Sequence, residues 1–411
     1  MRLLEAATGA VELVTVAPLD ARSRAEEVLP AARLAGDWAA VSVAERAFGL
    51  AALHLNDLDL ALTRLRASVL AGGRSGVARY AGEARMSLAS ALTLRGRPRQ
   101  AFRELDAALR DLDGVAAARA LTQRSAIQQE LGRVDEALDD LRRALPVLHR
   151  ARDAQWEARA LSNRGLLQVR RHALGQAEAD LLAALALCEQ HGFALSAAYA
   201  QHNLGYVKAE RGDVPAALHQ FGLAEASYRR LGLGSEVGAL LLDRAKLLLS
   251  VGLLDEARAA AEAAVRAYER QHRDVHRPEA ELVLATVAVV AGDSGAALLA
   301  AERALVELRR LGRRQWLPLA RYARLQALVA ADPAGVRPGE ARRVADSLQR
   351  AGWEVPALDA RILAGRLALG RNQRVAARRD LELAGRARQA GPAEVRARAW
   401  HSEAMLRLAA G

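Results

Sequence analysis

Apolar residues along this chain recur at spacings of three and four, and no stretch alternates apolar with polar residues. That period belongs to amphipathic helices; a half-buried strand would show a period of two. The helical pattern itself repeats. The frame Ala217-Leu218-x-x-Phe221-x-x-Ala224 recurs as Ala61/Leu65/Ser68, Ala101/Leu105/Ala108, Ala137/Leu141/Ala144 and Ala177/Leu181/Ala184. It continues as Ala257/Ala261/Ala264, Ala297/Ala301/Ala304, Ala341/Ala345/Leu348 and Ala377/Leu381/Ala384, and it begins at Ala21/Ala25/Val28. The leading alanines are 40, 40, 36, 40, 40, 40, 40, 44 and 36 residues apart.

Twelve residues before each leading alanine stands a small residue: Gly9, Gly49, Ala89, Ser125, Gly165, Gly205, Ala245, Ala285 and Gly365. The exception is Val329, in the unit that carries four extra residues, which fall in a Pro/Gly-rich stretch at 332–339 and predict a lengthened turn. Breaks at Asn56-Asp57, Gly96, Gly132, Gly212-Asp213, Gly252, Gly292-Asp293 and Gly370 divide the units into helix pairs. Glycine or asparagine closes the first helix in the left-handed conformation, and aspartate caps the second. Pro98 and Pro215 sit just inside second helices, and Pro278, Pro318, Pro356 and Pro392 mark first-helix starts, where a missing N–H costs little. Pro30 and Pro146 fall inside second helices and predict a kink or an early end.

The small residue lets the two helices of a unit approach closely and the leading alanine receives it, while the larger residue four positions on is expected to fill space against the next unit. One unit cannot bury its own apolar face, so neighbours must stack. The expected fold is all-α: one domain over residues 2–410, a right-handed α-solenoid of about ten helix-turn-helix repeats plus a C-terminal helix at 393–410. That last helix has two readings. It is a finished cap with a polar face (Arg396, Arg398, His401, Glu403, Arg407), or it is the first helix of a truncated unit, on which an effector domain packed against Trp400, Met405, Leu406 and Leu408.

Composition narrows the classes. Hydrophobic residues make up 52% and aromatics only 4%, so Ala, Leu and Val must build the core; 26% charged residues exclude both a disordered chain and a membrane protein. Cys188 is the only cysteine, which excludes a disulfide framework and fits a reducing cytoplasm. No export signal is expected at the N-terminus. Residues 1–301 hold 37 basic and 37 acidic residues, whereas 302–411 hold 22 arginines against 11 acids, so the net charge of +11 lies in the last quarter. Such a segment can attract nucleic acid; the simpler reading is a solvated arginine-rich helix array.

The best unit, Asn203-Leu204-Gly205-Tyr206 through Gly212-Asp213 to Ala217-Leu218-x-x-Phe221-x-x-Ala224, resembles the tetratricopeptide repeat (TPR) family. Asn163-Arg164-Gly165 is a weaker second match. The repeat step of about 40 departs from the family's usual length of about 34. The family's early first-helix aromatics are mostly absent, although Trp156 and Tyr199 lie near that zone. The resemblance implies an α-solenoid that binds proteins or peptides in a concave groove lined by first helices. Carried onto this chain, it names Gln123, Asn163, Asn203 and Asp243, each two before the small residue, with Tyr199, Tyr206 and Lys246 beside them. An asparagine at that position serves equally well to bond the neighbouring unit's backbone.

Candidate chemistry is sparse. No GxxxxGK[ST] phosphate loop occurs, and Gly232-Leu233-Gly234-Ser235-Glu236-Val237-Gly238 is one residue off a dinucleotide fingerprint with no strand before it, so it reads as an interhelix turn. His272 and His276 flank Asp274 at a metal-binding spacing, but arginines crowd the turn and no third ligand is evident. Cys188 and His191 lack an orienting partner and an oxyanion hole, so the cysteine reads as core. Asp139-Asp140 and Asp255-Glu256 read as solubilising charge or as acids near helix N-termini. No catalytic constellation, metal site or cofactor is expected.

The function expected is a non-catalytic scaffold or sensor arm that binds a protein or peptide and works in the cytoplasm without a membrane. Ala/Arg/Leu-rich arrays of this kind resemble the N-terminal region of bacterial, especially actinobacterial, proteins that end in a caspase-like CHAT peptidase domain. That resemblance implies a regulatory arm for a separate effector. The alternatives are the sensor arm of a TPR-containing transcriptional regulator, and nucleic-acid binding through the basic C-terminal quarter.

Overall fold

The computed structural model describes residues 2–14, 16–270, 276–385 and 393–410; among them are 21 α-helices, one short 3-10 helix and no strand. The chain forms two compact units, residues 1–220 and 221–411. The first contains α1 (Arg2–Leu13), α2 (Pro18–Leu34), α3 (Trp38–His54), α4 (Leu58–Arg74), α5 (Ala78–Leu94), α6 (Pro98–Asp111), α7 (Gly114–Glu130), α8 (Val134–Arg150), α9 (Ala154–Arg170), α10 (Leu174–Gln190), α11 (Ala194–Glu210) and the start of α12 (Val214–Arg230). The second continues with α13 (Gly234–Ser250), α14 (Leu254–Arg270), α15 (Arg277–Val290), α16 (Ser294–Arg310), α17 (Leu317–Ala331), α18 (Pro338–Arg350), α19 (Glu354–Leu369), α20 (Arg374–Gly385) and α21 (Ala393–Ala410). No described helix is long and apolar enough to cross a membrane.

Every leading alanine, from Ala21 to Ala377, is fully buried, and the residues four and seven positions after each are buried as well. The larger residue reaches for the next repeat as expected: Leu65 clusters with Leu88, Ala89 and Leu92 on α5, Leu141 with Ala160 and Leu167 on α9, and Leu181 with Leu204 and Val207 on α11. It also packs over the small residue of its own repeat. A Cβ added at Gly49 would lie 2.6 Å from Leu65 Cγ, one at Gly165 2.9 Å from Leu181 Cγ, and one at Gly365 2.7 Å from Leu381 Cγ. Where the facing position is itself small, as at Ala25, a Cβ on Gly9 would meet nothing within 4 Å. Interiors close-pack, so bulk on one helix demands its absence on the other.

The irregular steps have local causes. The step of 36 from Ala101 to Ala137 follows a 14-residue α6 where most helices have 17, and the step of 36 before Ala377 follows a 13-residue α18. In the unit with Val329, α17 and α18 touch far less than the other pairs do. A branched side chain replaces the small one there, and Val336 from the lengthened turn fills the gap with Leu325 and Leu367.

Helix ends follow the expected chemistry. Asp37, Asp57, Asp213 and Asp293 each accept a hydrogen bond from the backbone N–H three residues on, at 2.9–3.2 Å. Two expectations fail. Pro30 and Pro146 do not end their helices, which run on to Leu34 and Arg150; buried Val28, Leu29 and Ala32, and Leu145 and Leu148, hold those last turns in place. The left-handed residue after α19 is Asn372, with φ of 58°, not Gly370, which keeps helical φ. His172 and Arg152 take the same conformation without being glycine, at φ of 57° and 54°.

Candidate functional site

In the first unit, α3, α5, α7 and α9 are all first helices, and their side chains line a groove holding a cavity of about 400 Å³. Its polar lining includes Arg46, Arg79, Glu83, Arg119, Gln123 and Arg159, with Trp156 as the aromatic wall. Glu83 takes two guanidinium groups, Arg46 at 3.0 Å and Arg79 at 2.7 Å. Burial lowers the Arg46 pKa, while Glu83 pulls it up. Arg119 pairs with Asp153 at 2.7 Å. Arg159 stacks on Trp156, its guanidinium carbon 4.9 Å from the ring centroid. Water reaches Arg159, yet protein stands around it in the groove, and that desolvation lowers its pKa against a small opposing effect of Tyr199.

Of the residues that the resemblance named, Gln123 lies in this lining. Its Nε2 donates to Met86 O at 3.0 Å and Ser90 Oγ at 2.8 Å on α5. Asn163 Nδ2 does the same one repeat on, donating to Thr122 O at 3.1 Å and Ser125 Oγ at 3.3 Å on α7. These amides tie each first helix to the one before it. Asn203 and Tyr206 are half-buried on α11, and Tyr199 is exposed there, beside Arg159. Asp243 and Lys246 stand in the second unit on α13, where they pair with each other at 3.0 Å.

The cavity's charged residues were not singled out from the sequence. For three of them a signal was available: Glu83, Arg119 and Arg159 each stand six before the small residue of their unit, as Tyr199 does in the next. That is one helical turn from the amide position, on the same face.

The weaker chemical candidates resolve into structure. Cys188 is 1% exposed between Ala158 and Ala184, and burial pushes its thiol up to about 11; His191 stacks instead on Phe193, 5.6 Å between centroids. Gly232 turns the chain at φ of 72°, and a Cβ at Gly238 would lie 2.8 Å from the Tyr268 ring, so the glycine-rich stretch serves a turn and a close contact. His272 and Asp274 lie outside the described residues; His276 faces Glu279 at 3.6 Å. Among the described residues no group of three or more His, Cys, Asp or Glu side chains could hold a metal ion. Asp140 is not solubilising charge. It is 3% exposed and grips Arg124 with two bonds of 2.7 Å, and Asp180 holds Arg164 alike at 2.7 and 2.6 Å.

No protein-family model and no curated protein matches the sequence. Among solved structures, a Rap protein complexed with Competence and Sporulation Factor superposes with a TM-score of 0.66 at 13% identity, covering 90% of this chain and 99% of that one. The fold is that of the TPR-like α-solenoids. The signal-transduction ATPase with numerous domains from Pyrococcus horikoshii, which has a tetratricopeptide repeat sensor, superposes with a TM-score of 0.51 at 13% identity. It covers 80% of this chain, which spans 52% of that protein's length. Both likenesses are likenesses of architecture.

Proposed function

We propose that this TPR-like chain is a non-catalytic scaffold or sensor arm that binds a peptide or an extended protein segment in the groove of α3, α5, α7 and α9. The observation that carries the reading is the cavity itself, built from four consecutive first helices and lined by charged and aromatic side chains, Arg46, Arg79, Glu83, Arg119, Trp156 and Arg159. Four helices in a row suit an extended ligand, since each contributes one or two side chains to a continuous surface. The two solved neighbours support it by analogy of fold: one is complexed with a Competence and Sporulation Factor, and the other carries its repeats as a sensor. An arm of this kind regulates a separate effector, for which a CHAT caspase-like peptidase or a transcriptional regulator are the candidates. An effector domain would find Trp400, 54% exposed on α21, as a docking residue. The proposed compartment is the cytoplasm.

The test is a displayed random-peptide library selected on the full chain. Enriched peptides should bind in solution and lose binding to Trp156→Ala with the thermal transition little changed. Selection that enriches nothing, or peptides indifferent to Trp156→Ala and Arg119→Glu, would sink the groove.

One observation favours a second reading. In the second unit a cleft of about 640 Å³ between α16, α17 and α18 is lined by Arg309, Arg321, Arg324, Arg343 and Arg350 against three acids. Nucleic acid bound there would give an affinity falling steeply with salt; binding that ignores salt, or survives Arg321→Gln with Arg343→Gln, would dismiss it.

A further inference from the structure

The groove's ion pairs do not balance. Around the cavity stand four guanidinium groups, Arg46, Arg79, Arg119 and Arg159, and three carboxylates act on them: Glu83, Asp153 and, at longer range on Arg79, Asp113. Arg46 and Arg79 share Glu83, and Arg119 has Asp153. Arg159 has an aromatic face, Trp156, and no carboxylate among the described residues. This excess is local. Residues 1–301 are neutral overall, so the basic last quarter of the chain does not explain it.

A guanidinium within a protein-walled groove loses part of its hydration, and a carboxylate that docks there restores the lost stabilisation through two parallel N–H···O bonds. Stacking on Trp156 fixes the plane of the group in advance, so little side-chain freedom remains to be lost on binding. Arginines elsewhere in the same unit show what this geometry selects. Arg124 and Arg164 each hold an aspartate with two bonds of 2.6–2.7 Å. Arg159 presents the same fork to an open cavity.

We propose that Arg159 is the anchor for a carboxylate of the ligand, so that the groove of α3, α5, α7 and α9 selects acidic peptides. This rests on the groove reading above and adds to it the chemical class of the ligand. The carboxylate meets the outer edge of the Arg159 guanidinium, whose face lies over Trp156. Gln123 and Asn163 keep the helix spacing on which that geometry depends.

The experiment uses the full chain and fluorescein-labelled decapeptide pools, randomised but enriched in Asp/Glu, in uncharged residues, or in Lys/Arg, each with a free or an amidated C-terminus. Anisotropy titrations should show the acidic pools binding about tenfold or more tightly than the uncharged ones, with the advantage shrinking in salt. Arg159→Gln should remove that advantage, and Arg159→Glu should transfer it to the Lys/Arg pools, a reversal that a merely structural role would not produce. Loss on amidation assigns the carboxylate to the peptide's C-terminus; persistence assigns it to Asp/Glu side chains. If uncharged pools bind as well as acidic ones, still depend on Trp156, and ignore Arg159→Gln, the groove stands and the carboxylate anchor falls. If no pool binds, both fall.

Discussion

Gly49→Ala is the sharpest test of how the two helices of a repeat meet. The new Cβ would lie 2.6 Å from Leu65 Cγ, 2.9 Å from its Cδ2 and 3.2 Å from its backbone N. Carbon atoms pack at about 3.5–4.0 Å, so α3 and α4 must part by roughly 1 Å or Leu65 must leave its rotamer. Overpacking of that kind costs about 1–3 kcal/mol. Alanine is better than glycine in a helix by about 1 kcal/mol, which offsets part of the cost. The net expectation is a loss of up to about 2 kcal/mol. Gly9→Ala makes the same chemical change where nothing lies within 4 Å, so it should stabilise by about 1 kcal/mol. In a Leu65→Ala background the side-chain obstacle is gone and only the backbone N at 3.2 Å remains, so Gly49→Ala should there cost far less, giving a coupling of about 1–3 kcal/mol. Urea unfolding by circular dichroism gives the global values, and hydrogen exchange in α3 and α4 localises them, since an array of repeats opens in parts. Equal gains from Gly49→Ala and Gly9→Ala, with no coupling to Leu65, would refute the packing argument.

Arg152→Gly and His172→Gly should each raise stability by about 0.5–1 kcal/mol, because both residues hold a left-handed φ that glycine adopts without strain; a loss of stability in urea would contradict this. Asp140→Ala should cost about 2 kcal/mol, because Arg124 loses two charge-assisted bonds in a buried setting and keeps only the one to Asp106. Asp139→Ala, at an exposed pair with Arg142, should cost less than about 0.5 kcal/mol, and equal effects would show that burial is not what separates them. Cys188 titrates at about 11 when folded against an ordinary 9.0. The unfolded thiol therefore ionises first as pH rises, so its contribution to stability is intact below pH 9 and is lost between about 9 and 11. Thiol labelling near neutral pH should accordingly wait on opening of α10, and fast labelling of the native chain would disprove the burial.

The repeat made the fold legible because alanine at a helix crossing admits few substitutes. Ala21 through Ala377 are all at zero exposure, and the frame that they set located every helix pair. Errors arose where a single residue has two physical outlets. Pro146 predicts a kink or an early end of α8, and the early end does not occur, since one lost hydrogen bond is outweighed by Leu145 and Leu148 beside it. Gly370 drew the turn two residues early because the sequence also offers Asn372, which tolerates the same φ. Asp140 read as solvated charge because its partner, Arg124, is sixteen residues away on another helix. Only the three-dimensional register brings those two together.

The groove was less legible for a reason built into helix geometry. On a first helix the small residue faces its own second helix, while the residue two before it is turned by about 200° and faces its neighbours. The residue six before lies on that same outer face, one turn away. The inward set therefore answers to one constraint in every repeat, and it repeats. The outward set is free of that constraint, and it does not: Glu83, Arg119, Arg159 and Tyr199 occupy one position in four successive repeats. Their neighbours at the amide position, Gln123 and Asn163, are constrained again because they bond the preceding helix. Variation is thus concentrated at positions outside the core, although Glu83 and Arg119 also form ion pairs with Arg46 and Asp153. A repeat chain can change such residues, and with them its ligand, at almost no cost to the stack. In a chain so rich in arginine, composition alone cannot separate Arg159 from a solvated surface residue; its position against Trp156, without a carboxylate, does.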